Sequence, residues 1–173
     1  MDDFSRQIAF LEQHSTYARR WLSAKPEWLE YLRICGQKKM ESQDIRELLA
    51  TSRSPRDSGR VDEAQFMAEL RLARQRLMLW VAFRDLNGMA SLEEVTHSLS
   101  YFAQLAVEEA IAFIRADLQP RFGLPWSKAN NAEMPLMVVG MGKLGGMELN
   151  LSSDIDLIFL YEHEGETVGA EKS

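Results

Sequence analysis

The residues best suited to chemistry lie in one stretch, Leu136 to Tyr161, which reads LMVVGMGKLGGMELNLSSDIDLIFLY. Asp154 and Asp156 stand either side of Ile155. In a strand, positions i and i+2 project to one face, so the two carboxylates would point together while Ile155 and Leu157 face the other way. Two unit charges about 6 Å apart repel by roughly 2–3 kcal/mol at an effective dielectric near 20, so the pair needs a compensating charge. A divalent cation supplies one, since Mg2+ binds through one or two carboxylates together with substrate phosphates and retained water. Upstream, the glycines of Gly140 to Gly146 let backbone N–H groups approach a phosphate closely, and Lys143 adds a positive charge beside them. Acids for a metal and donors for a phosphate are the parts needed for nucleotidyl transfer.

Other readings of the same stretch fit less well. Gly140-x-Gly142-x-x-Gly145 matches the dinucleotide fingerprint, but that fingerprint opens a crossover of at least about 10–12 residues. Only the segment Gly146 to Ser153 separates the third glycine from Asp154. A phosphate-binding Walker loop requires Ser or Thr after its lysine, and Lys143 is followed by Leu144. Ile155, Leu157 and Ile158 exclude a calcium-binding EF-hand loop. Taken singly, acids at a loop–strand junction and glycines in a tight turn also have a plain structural reading. Their order, strand then Gly-rich loop then Ser-Asp-Ile-Asp-Leu then strand, favours chemistry.

The elements that must hold these residues follow from patterning. Met134 to Met141 and Ile155 to Tyr161 are short and rich in Val, Ile, Leu and aromatics, which predicts two strands joined by the Gly-rich segment. Everything before about residue 119 reads as helix. Val61 to Leu86 places Ala64, Met67, Leu70, Ala73 or Arg74, Leu77, Trp80 or Val81, and Arg84 on one mostly apolar face, and Asn87-Gly88 stops it. Ser91 and Glu94 form a capping box that opens another helix, with Val95, Leu99, Phe102, Ala106, Ala110 and Phe113 inward. Pro120, Gly123 and Pro125 end that helix. Phe4 to Leu22, Glu27 to Cys35 and Gln43 to Leu49 are further helices, Thr51 to Arg60 a polar loop, and Glu162 to Ser173 a solvated or frayed end. The result is a helical leader followed by the opening hairpin of an α/β or α+β domain.

Composition narrows the class. The 173 residues carry a net charge of −6, with 46% hydrophobic residues, which argues against disorder. Basic and acidic residues balance at 18 each up to Ala132 and then number 2 and 8, which leaves no basic stripe for nucleic acid. Cys35 is the only cysteine, ruling out a disulfide framework. No apolar run reaches the ~20 residues of a membrane span, and the acidic opening Met1-Asp2-Asp3 is no secretory signal, so a cytoplasmic location is expected. His14, His97 and His163 are scattered and read as surface or structural. Trp80, Phe83 and Phe102 read as core, and Cys35 as a packed thiol. Arg84-Asp85 would make a buried ion pair or touch a regulator, while Glu93-Glu94 and Glu108-Glu109 read as solvated faces.

Gly140-Met141-Gly142-Lys143-Leu144-Gly145-Gly146, followed by Ser153-Asp154-Ile155-Asp156-Leu157, resembles the nucleotidyltransferase core of the polymerase-β type. More closely it is similar to the bifunctional glutamine synthetase adenylyltransferase/adenylyl-removing enzymes, whose leader is matched by Trp80 to Leu86 and Ser91 to Glu94. The broader superfamily has Gly or Ser where Lys143 stands, whereas the Gly-Lys-Leu-Gly-Gly run is that of the adenylyltransferases. The resemblance implies an α+β fold: a helical N-terminal region over residues 1–132, then the first two strands of a nucleotidyltransferase domain over 133–173. It implies Asp154 and Asp156 as catalytic, metal-binding carboxylates, and Gly142, Lys143, Gly145, Gly146 and Ser153 as the nucleotide- and phosphate-binding set. Mg2+ or Mn2+ would be the cofactor.

The same resemblance implies a reaction and partners. The N-terminal half of such enzymes removes AMP from a glutamine synthetase tyrosine by phosphorolysis, giving ADP. The C-terminal half attaches AMP from ATP, and a PII-type signal protein is the regulator. A third carboxylate would come from a later strand, and the acids after Asp156 (Glu162, Glu164, Glu166 and Glu171) lie in a polar tail, so a truncated and inactive fragment is expected. The rival expectation is a non-catalytic helical interaction module with a vestigial nucleotide site.

Overall fold

The computed structural model describes residues 2–51 and 62–169, arranged as two compact units. The first comprises residues 1–102 with the short excursion Leu149–Ser152; the second comprises Ala103–Glu148 and Ser153–Ser173. The architecture is α-rich with a few short antiparallel strands, an α+β arrangement. No helix among the described residues is long and apolar enough to cross a membrane.

The first unit is built around α5 (Glu63–Leu86), on which α1 (Asp3–His14), α3 (Trp28–Cys35) and α4 (Ser42–Thr51) pack, with α2 (Thr16–Ala24) against α1. Asp2 caps α1 by accepting from Ser5 N at 2.8 Å, and Asp62 caps α5 by accepting from Gln65 N at 2.7 Å. The predicted single helix from Phe4 to Leu22 is instead two. Ser15 takes extended backbone angles, donates its own N–H to Leu11 O and accepts from Ala18 N, so one residue closes α1 and opens α2. The buried stripe of α5 runs through Phe66, Glu69, Ala73, Leu77, Trp80 and Arg84, and from Leu79 to Arg84 the helix is enclosed on all sides. Its first turns therefore differ from the predicted Ala64 and Met67, because Phe66 offers more apolar surface for the same helical spacing. Thr51 ends α4; the rest of the expected polar loop to Arg60 lies outside the described residues.

α6 (Leu92–Phe122) runs from the first unit into the second. Ser91 caps it, accepting from Glu94 N at 3.1 Å, but the Glu94 carboxylate does not return the bond. It is buried and grips Arg84, with Nε to Oε1 at 2.7 Å and Nη2 to Oε2 at 3.2 Å. Arg84 also donates to Gly36 O and Met89 O, and Glu94 accepts from Met40 N. The buried ion pair expected of Arg84-Asp85 forms at Arg84 alone, with Glu94 as partner, while Asp85 is exposed, and the expectation of a solvated Glu94 is corrected: a buried guanidinium needs the carboxylate more than the helix terminus does. Pro120 lies within the last turn, which continues to Phe122 and ends at Gly123 with φ 80°.

In the second unit, β1 (Leu124–Ser127) is flanked by β2 (Ala132–Glu133) and β5 (Glu166–Val168) in an antiparallel sheet. β3 (Met137–Gly140) and β4 (Leu157–Leu160) form the expected pair, antiparallel, with Met137 opposite Leu160 and Gly140 opposite Leu157. The predicted frayed end is corrected in part. Leu124 pairs with Val168 and Trp126 with Glu166, and the Ser127 hydroxyl, 3.0 Å from His163 Nε2, ties down the connection before β5.

Candidate functional site

The glycine-rich turn begins where β3 ends. Met141 leads into the one-turn helix α7 (Gly142–Gly145), closed by Gly145 N donating to Met141 O and Gly146 N donating to Gly142 O. Leu144 is the anchor, 4% exposed, with its side chain over Gly140. The glycines do different work. A Cβ on Gly145 would stand 2.5 Å from Gly140 O, so Gly145 lets α7 lie directly on the end of β3. Gly142 has φ 53° and nothing within 4 Å of its missing Cβ, so it needs glycine for its backbone angle and leaves open space above it. Gly142 and Lys143 are exposed, and no ion pair engages Lys143 among the described residues.

Asp154 and Asp156 differ from the expected placement. They precede β4, which starts at Leu157, and do not lie within it. The partner strand explains this: Gly140 is the last residue opposite β4, and the chain beyond it turns away into α7. One further ladder bond survives, Met141 N donating to Asp156 O at 2.9 Å, and it fastens the acid-bearing segment to the residue that opens the glycine turn. Asp154, Ile155 and Asp156 are all exposed, and Ser153 is half-buried. Neither acid is engaged by a cationic side chain among the described residues.

A cavity of about 440 Å3 lies between the second half of α6 and the hairpin, bounded by Val107, Glu108, Ile111, Val138, Leu144 and Leu157. Leu157 lines it, whereas Asp154 and Asp156 are exposed and neither acid lines the cavity. The structure therefore brings Gly142, Lys143 and Asp156 to the same end of the β3–β4 ladder, on its solvent side, with Asp154 two residues earlier. Gly145 and Gly146 use their amides to close the turn, so their part is to shape it. The two carboxylates, engaged by no cationic side chain among the described residues, are hard oxygen donors of the kind Mg2+ takes. Among the described residues no group of three or more His, Cys, Asp or Glu side chains could hold a metal by itself.

The model of the glutamate-ammonia ligase adenylyltransferase family matches residues 6–173. The chain belongs to that family. Among curated members of this adenylyltransferase family, the bifunctional glutamine synthetase adenylyltransferase/adenylyl-removing enzyme of Ralstonia nicotianae is 38% identical over 170 residues, 95% of this chain and 17% of that protein. The enzyme of the same name from Aromatoleum aromaticum is 40% identical over 157 residues, covering 90% and 16%. That from Thioalkalivibrio sulfidiphilus is 48% identical over 108 residues, 62% and 11%. The chain thus spans about a sixth of the length of the first two relatives. Two features of this adenylyltransferase segment escaped sequence reasoning. Leu144 as the turn's anchor had a signal, an apolar residue between Lys143 and Gly145; the bond from Met141 N to Asp156 O had none, since it depends on register.

Proposed function

We propose that this chain carries the phosphate- and metal-handling edge of an adenylyl-transfer site of the polymerase-β type, working in the removing direction. The observation that supports it best is the pair Asp154 and Asp156, exposed and engaged by no cationic side chain among the described residues, with Asp156 fastened through Met141 to the turn that bears Gly142 and Lys143. Asp154 and Asp156 would hold Mg2+ or Mn2+, which when bound neutralises charge on phosphate oxygens. Lys143 and the backbone at Gly142 would receive a phosphate oxygen, Lys143 as a point charge and Gly142 by leaving room for close approach. The substrate would be a glutamine synthetase tyrosine bearing AMP. An oxygen of inorganic phosphate attacks the AMP phosphorus, the bond to the tyrosine oxygen breaks, that oxygen takes up a proton, and ADP leaves. Such a reaction needs positioning and electrostatics and no covalent enzyme intermediate. A third carboxylate, regulation by a PII-type protein, and a cytoplasmic location belong to the same proposal.

The test is phosphate-dependent release of ADP from adenylylated glutamine synthetase, with this segment carried in a full-length family member. Asp154→Asn is expected to lower the rate by at least about 100-fold. Retained phosphorolysis with unchanged metal dependence would remove the assignment. An unaltered rate together with weakened docking of glutamine synthetase would favour a helical interaction module instead.

A further inference from the structure

Among the described residues, two that carry a side chain take a left-handed backbone, Asn131 at φ 49° and Met147 at φ 58°. Asparagine visits that region because its short polar side chain bonds locally, whereas methionine has no such compensation. Met147 closes the glycine-rich turn. Glu148 N donates to Lys143 O at 2.7 Å and Met147 N to Leu144 O at 3.1 Å, the paired bonds of a Schellman motif, whose left-handed position is usually glycine. Gly145 and Gly146 stand just before it, yet Gly146 sits at φ −84° and the left-handed residue is Met147. A backbone outlier of this kind persists only where its surroundings hold it. Here the hold is on the side chain: half-buried Met147 accepts on Sδ from Gln104 Nε2 of α6 at 3.4 Å. Gln104 also lines the cavity bounded by Leu144 and Gly145. Gln104 and the whole turn from Gly142 to Glu148 lie within the second unit.

We propose that Met147 is a positioning residue for Lys143, a role that rests on the reading of Lys143 as the cation that receives a phosphate oxygen. Met147 ties the end of the turn to α6 through Gln104, and the bond from Glu148 N to Lys143 O carries that tie to the backbone of Lys143. A lysine ammonium is a point charge on a flexible four-carbon stem. Since Lys143 is exposed and no ion pair engages it among the described residues, the fold aims its charge through the backbone from which the stem starts. Met147→Gly suits φ 58° and preserves the turn's backbone, but it releases the hold on α6.

The test measures phosphate-dependent release of ADP from adenylylated glutamine synthetase by a full-length family member carrying this segment, with the KM for inorganic phosphate and the KM for the protein substrate determined separately. Lys143→Ala is expected to raise the KM for phosphate and to leave that for the protein substrate unchanged. Met147→Gly is expected to raise the KM for phosphate about tenfold, short of the roughly 100-fold that a 1 Å misplacement can cost, again with the protein substrate's KM unmoved. Added to Lys143→Ala, Met147→Gly should change nothing further, because the charge it positions is gone. Should Met147→Gly fail to fold, Gln104→Ala leaves the turn's own residues intact and is expected to raise the KM for phosphate about threefold, the scale of one weak hydrogen bond. An unchanged KM for phosphate in Met147→Gly or, failing that variant, in Gln104→Ala would overturn the positioning role. So would an equal rise for the protein substrate, or a full additional loss on top of Lys143→Ala. A KM for phosphate indifferent to Lys143→Ala would overturn the phosphate reading of Lys143 itself, and Met147's role with it.

Discussion

Arg84 places a guanidinium where water does not reach, its side chain 5% exposed, and satisfies it with Glu94 and two backbone carbonyls. Removing one partner of such a pair strands the other, so Glu94→Ala should cost about 3–5 kcal/mol in chemical denaturation. Arg84→Met combined with Glu94→Leu should cost much less, because it removes both charges and keeps the volume; a double variant as unstable as Glu94→Ala would contradict this reading. The sequence carried half of this pair. Arg84 on a buried helical face announced that a partner was required, but the Ser91-x-x-Glu94 spacing made Glu94 look occupied by capping. Only the approach of the Gly36 and Met40 backbone to the α5–α6 corner shows where its carboxylate goes. Spacing singles out Asp154 and Asp156 as candidates, but not their exposure or their place before β4, which depend on where the partner strand stops.

At the level of elements, the β3–α7–β4 unit depends on close backbone contact. Gly145→Ala would drive a methyl against Gly140 O, from which an ideal Cβ lies 2.5 Å, and no flexible side chain is there to yield. Lifting α7 from β3 should lower the melting temperature by several degrees, roughly what 1–3 kcal/mol of overpacking produces in a domain of this size. Gly142→Ala meets open space and should cost only about 1–2 kcal/mol for its positive φ. Equal losses for the two would argue against the division of labour between the glycines. Helices and the β3–β4 pair could be read from periodicity and β-branched runs. β1, β2 and β5 could not, because Leu124-Pro125-Trp126-Ser127 and Glu166-Thr167-Val168 have no alternation of their own and are strands only through each other.

Across the whole chain, burial keeps several acids neutral that would ionise in an unfolded polypeptide. The Cys35 thiol is pushed up from 9.0 to about 12, chiefly by desolvation, and the Tyr17 phenol from 10.0 to about 12 for the same reason. Tyr31 is raised as well, by burial first and then by neighbouring Cys35. The unfolded chain gives up these protons from about pH 9 while the folded chain holds them, so stability is full below pH 9 and falls as pH rises towards 12. Denaturation midpoints should drop between pH 8.5 and 10.5, and less in Cys35→Ala; a flat profile would contradict the burial of these groups. At neutral pH, Cys35 should react slowly with alkylating reagents. The claim on which the functional reading depends is that Asp154 and Asp156 hold a divalent cation beside the glycine turn. Its most direct test is paramagnetic broadening of backbone amide signals by substoichiometric Mn2+. Broadening is expected around Gly142 to Gly145 and Ser153 to Leu157, and it should vanish in Asp154→Asn combined with Asp156→Asn. Broadening centred on Glu162 to Glu166, or indifferent to the double substitution, would contradict it.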